Sequence, residues 1–323
     1  MTLFRRVDGG LIAGRFTDHH VHLQLVEHTL LAASRLGRVV DLGGNPAVLR
    51  ELAHGSRGSQ MENVGATRPA PALFIRPGAA QMENARETRP APAKSIRGAA
   101  PVIEYAGAFL TAPGGYPSDR AWAPEGSVRE IPDAAGAAAA VDESASAGAS
   151  LIKITLNSEA GAVLDDDSVR AIVAAAAARG LPVVAHAEGA GQAQRAARLG
   201  ATRLAHAPFS ERLTDEDIAE QAASVQWIST LAIHDHAHRA IAIDNVRRFT
   251  AAGGTILYGT DMGNGDTPVD LNAAELEALR EAGIDGIRLL HTLAPLEDDA
   301  HPLFLPAGDP LLARPLTPAD LEA

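Results

Sequence analysis

The stretch FTDHHVHLQL, residues 16–25, holds three of the chain's 12 histidines, His19, His20 and His22, just after Asp18. In an extended strand, side chains two positions apart share a face, so His20 and His22 point together while His19 points away. Two neutral imidazoles on one face can hold a single metal ion; the alternative is a pair of hydrogen-bonded core histidines. Asp18 falls on the same face one step deeper, where it either orients a ligand ring or accepts a hydrogen bond near the start of the strand. Further along, VVAHAEG and LAHAPFS each end an apolar run on a histidine, His186 and His206. YGTDMGNG does the same with Asp261, followed by glycines that let the backbone approach a ligand. An aspartate there is equally the N-cap of a following helix.

Lys153, in SLIKITL, is a different kind of signal. Of 28 basic residues only two are lysine, Lys94 and Lys153, and Lys153 sits in an apolar strand. A permanent charge there is costly. Arginine stays protonated, whereas a buried lysine can lose its proton and become a nucleophile. A neutral amine forms a Schiff base with a carbonyl, or a carbamate with carbon dioxide, and a carbamate has two oxygens that can bridge two metals. The plainer reading is a lysine whose head snorkels to solvent from a strand end.

These residues need strands to deliver them. Eight β-rich runs, at 15–24, 38–44, 101–111, 150–156, 181–187, 202–208, 224–232 and 255–262, alternate with Ala-rich helical segments such as DSVRAIVAAAAARG. The expectation is an α/β fold, a (β/α)8 TIM barrel in which strand ends carry the site, although an open doubly wound sheet shares most of the pattern. A chain of 323 residues with 46% hydrophobic content can bury one large core, and residues 1–323 read as one domain. Residues 60–79 recur as 81–100 with 13 identities in 20 aligned positions, rich in Pro, Ala and Arg. Two copies are too few for a solenoid, so 57–100 reads as a duplicated loop insertion after strand 2, outside the catalytic core or, in the functional alternative, a lid over the active site.

Composition narrows the chemistry. The net charge of −12 argues against nucleic acid or an anionic membrane as partner and leaves a small-molecule substrate. Without cysteine there is no thiolate nucleophile, disulfide or Cys-bound zinc. No leader-like amino terminus and no membrane-length apolar run are found, which predicts a cytoplasmic protein. A homo-oligomer remains open.

Taken in order, HxH on the first strand, Lys on the fourth, His on the fifth and sixth and Asp on the eighth, the set closely resembles the binuclear, carboxylated-lysine type of the metal-dependent amidohydrolase superfamily, over residues 16 to about 294. LIKITLNS, VVAHAEG, LAHAP and YGTDMGNG look most like its imidazolonepropionase-like and prolidase-like branch. The resemblance implies that His20 and His22 hold one metal with Asp261, that His186 and His206 hold a second, and that Lys153, carboxylated by carbon dioxide, and a hydroxide bridge them. Zinc suits the N/O donor set best, with manganese, iron or cobalt as alternatives. Asp261 would take the proton of the hydroxide and return it to the leaving group. Two features depart from the family pattern. Only about 15 residues precede the first strand, so a flanking β-sandwich is expected to be reduced or absent, and the duplicated insertion has no counterpart.

The implied activity is hydrolysis of an amide, peptide-like or lactone bond. A mononuclear deaminase would use His186 and Asp261 but leave Lys153 without a purpose; a third possibility is a barrel that binds metal or ligand without turnover. For substrate contacts the candidates are Tyr105, Asn157 and the HDHAHR stretch, with His234 foremost and His236, His238 and Arg239 beside it, unless these are simply an exposed helix start.

Overall fold

The computed structural model describes residues 3–61, 100–297 and 299–322. The chain opens with a hairpin, β1 (Phe4–Val7) and β2 (Gly10–Ala13), turned at Asp8–Gly9, where Gly9 takes a φ of +73° that favours glycine. The strands that follow are β3 (Phe16–Val21), β4 (Leu36–Asp41), β5 (Val102–Tyr105), β6 (Phe109–Thr111), β7 (Val128–Glu130), β8 (Ile152–Asn157), β9 (Val183–Glu188), β10 (Arg203–Leu204), β11 (Gln226–Ile228) and β12 (Thr255–Leu257). Near the carboxyl end come β13 (Leu303–Pro306) and β14 (Arg314–Pro315). Each of the eight apolar runs holds a strand. The run at 101–111 holds two, because it bends at Ala106–Ala108 between β5 and β6.

The strands form a mixed α/β architecture with mostly parallel sheets. Seven lie in the order β12-β11-β10-β9-β8-β6-β7, and three in the order β3-β4-β5. Backbone hydrogen bonds join β3 to the segment after β12: His19 N donates to Tyr258 O at 3.0 Å and His22 N to Met262 O at 2.7 Å, around a parallel bridge between Val21 and Met262. On the other flank Ala106 N donates to Asp41 O at 2.9 Å. The two ends of the chain meet in a small antiparallel sheet, β1-β2-β13-β14. The buried Arg15–Asp299 ion pair, at 2.9 Å, ties the start of β3 to that sheet's second half.

Side-chain alternation explains how the strands serve both a core and a site. On β8, Leu151, Lys153 and Thr155 lie two apart; Leu151 belongs to a buried apolar group with Val40, Val184, Ala205 and Ile228, while Lys153 and Thr155 line a cavity. On β9, Val184 joins the same group, and His186 and Glu188 line the cavity. The opposite faces pack on helices. α1 (Pro46–Met61), α2 (Ala134–Ser146), α3 (Asp166–Ala177), α4 (Gln192–Arg198), α5 (Asp215–Ser224), α6 (His236–Ala251), α7 (Ala273–Glu281) and α8 (Gly286–Thr292) follow the strands. Their starts are set by side-chain caps: Asp165 accepts from Ser168 N, Thr214 from Asp217 N, Asp235 from Ala237 N and His238 N, and Asn272 from Ala274 N. Alanine-rich faces on α2 and α3 let them pack on each other and on the sheet. No helix among the described residues is long and apolar enough to cross a membrane.

α1 runs to Met61, so residues 57–61, the start of the predicted insertion at 57–100, belong to a helix; residues 62–99 lie outside the described residues.

Candidate functional site

His20, His22, Lys153, His186, His206 and Asp261 all line one cavity of ≈ 350 Å³. Nε2 of His20 and of His22 lie 3.1 and 3.2 Å from Asp261 Oδ1. Nε2 of His206 lies 3.0 Å from His186 Nδ1. The two groups adjoin, since the His20 and His206 rings are 4.8 Å apart, and ligand atoms of His20, His206 and Asp261 all fall within 4.8 Å of one another.

What holds each ring decides which nitrogen is free. His20 Nδ1 sits 2.8 Å from Ala205 O and His22 Nδ1 3.0 Å from Gly43 O. A carbonyl only accepts, so Nδ1 carries the proton in both and Nε2 presents a lone pair toward Asp261. His186 Nε2 lies 2.9 Å from Glu188 Oε2, which leaves its Nδ1 toward the cavity. His206 Nδ1 contacts Thr230 Oγ1 at 2.8 Å. This is the arrangement in which outer partners fix the tautomer of metal-binding histidines. The environment keeps most of the rings neutral. Burial lowers His20 and His206 well below the ordinary histidine range, and burial also lowers His186. His22 is the exception: burial pushes it down, but its hydrogen bond and charge interaction with Asp261 raise it overall.

Asp261 is held well below the usual carboxylate range. Burial opposes this, and the neighbouring His20, His22 and His206 outweigh it. Oδ2 accepts from Asn264 Nδ2 at 2.9 Å, whereas Oδ1 is buried with no hydrogen-bond partner. A buried orphan acceptor is costly unless something satisfies it. A cation between Oδ1 and the two Nε2 lone pairs would do so, and the donor set of imidazole nitrogen and carboxylate oxygen suits a divalent ion. Asp261 (φ +54°) and Thr230 (φ +44°) both occupy the left-handed region, where a β-branched residue is a true outlier. Such strain tends to collect at functional sites.

Lys153 is fully buried, and burial lowers its amine to about 7, against the pull of Asp261 and Asp41 in the other direction. Asp41, raised by burial to about 6, accepts from Leu23 N at 2.7 Å and Gly43 N at 2.9 Å, fixing the backbone beside His22.

The other sequence-derived candidates fall in different places. Asp18 takes the second of its two readings: it accepts from His20 N, Thr260 N and the Thr260 hydroxyl, and so pins the His20 and Asp261 segments. Tyr105 does not line the cavity; its hydroxyl donates to Ala147 O, toward α2. Asn157 also lies off the lining, where its amide donates to Glu188 Oε2 at 2.7 Å. His234 does line the cavity, with Nε2 buried and without a hydrogen-bond partner, and burial lowers it to about 4. In HDHAHR, Asp235 is the cap of α6 and pairs with His238, His236 is exposed, and Arg239 pairs with Glu281. His19 points away from the cavity and is buried.

Glu188 was not anticipated, although it stands to His186 as His22 stands to His20, two residues on along the same strand face. Nor were Tyr116 and Trp122, which reach the cavity from the loop after β6.

No protein-family model and no curated protein sequence matches the chain. Solved structures do match it. A candidate prolidase from Bifidobacterium longum superposes with a TM-score of 0.67 at 19% identity, over 95% of this chain and 79% of that one. The A. niger ochratoxinase gives 0.65 at 14% identity, over 94% and 80% of the two chains. The chain shares the fold of these solved structures. A Xaa-Pro dipeptidase with methionine bound in its active site shares this fold with a TM-score of 0.61 at 16% identity, over 92% of this chain and 81% of the other. In that shared fold, the end of β3 and the residue after it, the second residue of β8, the middle of β9 and the segments after β10 and β12 carry the six convergent residues.

Proposed function

We propose that this chain is a metal-dependent hydrolase of the amidohydrolase superfamily that cleaves an amide, peptide-like or lactone bond of a small molecule. The observation that carries the reading is the convergence of four histidines, Asp261 and a fully buried Lys153 on one cavity, each of the four rings held by a partner on its other nitrogen. We read the eight parallel strands β3, β4, β5/β6, β8, β9, β10, β11 and β12 as a barrel, supported by the hydrogen bonds from β3 to the segment after β12. His20, His22 and Asp261 would hold one divalent ion and His186 and His206 a second, with Lys153, carboxylated by carbon dioxide, between them. Ions bound there supply Lewis acidity and bring the pKa of water toward neutrality.

The chain's own groups supply the rest. Asp261, ionised, would hold the ion through Oδ1, accept a proton from the attacking water on Oδ2 and return it to the leaving group. Asn264 donates to Oδ2 and leaves that oxygen's second lone pair for the proton. His234, neutral near pH 7, donates an N–H to the substrate's carbonyl oxygen from the cavity wall. Thr230 and Glu188 fix His206 and His186, and Asn157 fixes Glu188.

Glu188 gives a test of that last chain. Glu188→Ala should weaken metal binding by about 10–100-fold, the usual cost of removing an outer partner of a metal-binding histidine, and Glu188→Gln should fall between it and the wild type. Metal titration followed by equilibrium dialysis reads this; unchanged affinity in Glu188→Ala would remove Glu188 from the site.

The reading as a whole is tested by metal content and turnover together. Protein prepared with zinc or manganese and bicarbonate should hold about two ions per chain and hydrolyse members of a panel of dipeptides, N-acyl amino acids and lactones. One ion per chain with deaminating activity would favour the mononuclear deaminase built on His186 and Asp261. Two ions without any turnover would favour a binding protein.

A further inference from the structure

The chain has 12 aromatic residues, seven Phe, three Tyr and two Trp, yet four of them, Phe109, Tyr116, Trp122 and Phe209, line the single cavity that holds the candidate metal ligands. Three are gathered on one side of it. The Trp122 ring lies 6.1 Å from Phe109 in an edge-to-face arrangement, 6.0 Å from Tyr116 and 6.5 Å from His22. Tyr116 is stacked on His186 at 5.2 Å, and Thr155, one turn of the pleat above Lys153, donates to its backbone carbonyl. Trp122 remains 40% exposed, one of six exposed large apolar side chains among the described residues. An indole at a cavity mouth that keeps this much surface open is placed to cover something apolar.

Behind it the space continues. A recess of ≈ 230 Å³ shares His22, Tyr116, Trp122, Asp261 and Asn264 with the main cavity and is completed by Leu25, Gly263 and Gly265. A cavity of about 150 Å³ takes a benzene molecule, so this recess has room for one ring and a short linker against Trp122, Tyr116 and Leu25. On the opposite side of the candidate ligands the lining carries more hydrogen-bonding groups, His234, Asp235, His238 and Glu188, beside Phe209 and Ile233. The aromatic side chains are therefore denser on the Trp122 side and the titratable ones on the other.

We propose that the recess beside Trp122 is the specificity site for an aryl group, so that the substrates are amides or related acyl compounds carrying an aromatic ring one or two bonds from the scissile carbonyl. This rests on the hydrolase reading above. The ring packs edge-on or offset against Trp122 and Tyr116, its linker passes Asp261, and the polar remainder of the molecule meets His234.

Two measurements separate this inference from the reading it rests on. Trp227, the second tryptophan, is fully buried and stacked on Phe249 at 3.7 Å with its indole N–H given to Gln221. Ligand-dependent tryptophan fluorescence therefore reports on Trp122. Benzamide should change that fluorescence in a saturable way and acetamide should not, and Trp122→Ala should abolish the response. In turnover, paired substrates differing only in acetyl against phenylacetyl, or methylamine against benzylamine, should show a preference for the aryl member of about tenfold or more in kcat/KM in one of the two series. Trp122→Ala should erase the preference. Leu25→Trp, which fills the recess from its other wall, should do so as well and covers the case in which the Trp122 variant folds poorly. Hydrolysis with no aryl preference and no benzamide response overturns the aryl site and leaves the hydrolase reading standing. A benzamide response lost in Trp122→Ala, with no amide, peptide or lactone cleaved, supports the aryl site and overturns the hydrolase.

Discussion

Lys153→Ala is expected to lose bound metal and hydrolysis together. The side chain is fully buried, and burial brings its amine to about 7, so in metal-free protein near neutral pH a large share is uncharged. Only the uncharged amine can attack carbon dioxide: an N–C bond forms as one C–O π bond opens, one N–H proton leaves, and a neutral amine becomes an anionic carbamate with two oxygens. That negative charge is what a pair of divalent ions needs between them, and a plain lysine cannot supply it. Lys153→Arg should therefore fail as fully as alanine, because guanidinium stays protonated. Acetate or propionate, added to Lys153→Ala, should restore part of both metal content and activity by placing a carboxylate in the vacated space. The pH dependence has a definite sign. Protonation competes with carboxylation, so incorporation of 13C-bicarbonate, followed by 13C NMR, should be largest above pH 7 and fall as the pH drops through it. A Lys153→Ala protein that still binds two ions at wild-type affinity would defeat the carbamate assignment.

The strands and the metal-ligand candidates were legible in the sequence because both depend on local rules. Alternation of buried positions marks β8 and β9 directly, and the same alternation puts His20 with His22 and Lys153 with Thr155. Tyr105 shows where that logic fails. It lies inside the apolar run 101–111, which bends at Ala106–Ala108, so the face that Tyr105 presents turns to α2 while Phe109, four residues on, reaches the cavity. No pattern within the run announces the bend. The choice between the two readings of Asp18 was closed to the sequence for a related reason: its partner Thr260 is distant in sequence, and only the pairing of β3 with the segment after β12 brings them together. The aromatic wall was invisible because Tyr116 and Trp122 sit in a loop whose path is set by contacts such as Thr155 to Tyr116, not by periodicity. Glu188 was within reach of the rule already used for His20 and His22, and a search for acids two residues from each histidine would have found it.

Asp261→Asn separates holding a metal from moving a proton. The position has a φ of +54°, a conformation that asparagine tolerates better than other residues, so the backbone should survive the change. The new amide can present its carbonyl oxygen where Oδ1 now meets His20 and His22 at 3.1 and 3.2 Å. Asn264, which donates to Oδ2, must then turn its own carbonyl toward the new NH2. A neutral oxygen is a weaker ligand than a carboxylate, but His20, His22, His186, His206 and Lys153 are untouched, and most of the metal should remain. Proton transfer does not survive, because an amide has no basic site near neutral pH. The expected result is a fall in kcat of about 10²–10⁴-fold, the typical worth of a positioned general base, with KM nearly unchanged since the cavity walls are intact. Asp261→Ala, lacking even the oxygen, should lose metal as well, which distinguishes a lost ligand from a lost base. The comparison needs metal analysis beside steady-state kinetics on the same preparations. Turnover within a few fold of wild type in metal-loaded Asp261→Asn would move the proton to another group, and Glu188, the remaining carboxylate on the cavity lining that touches a candidate ligand, would be the next to replace.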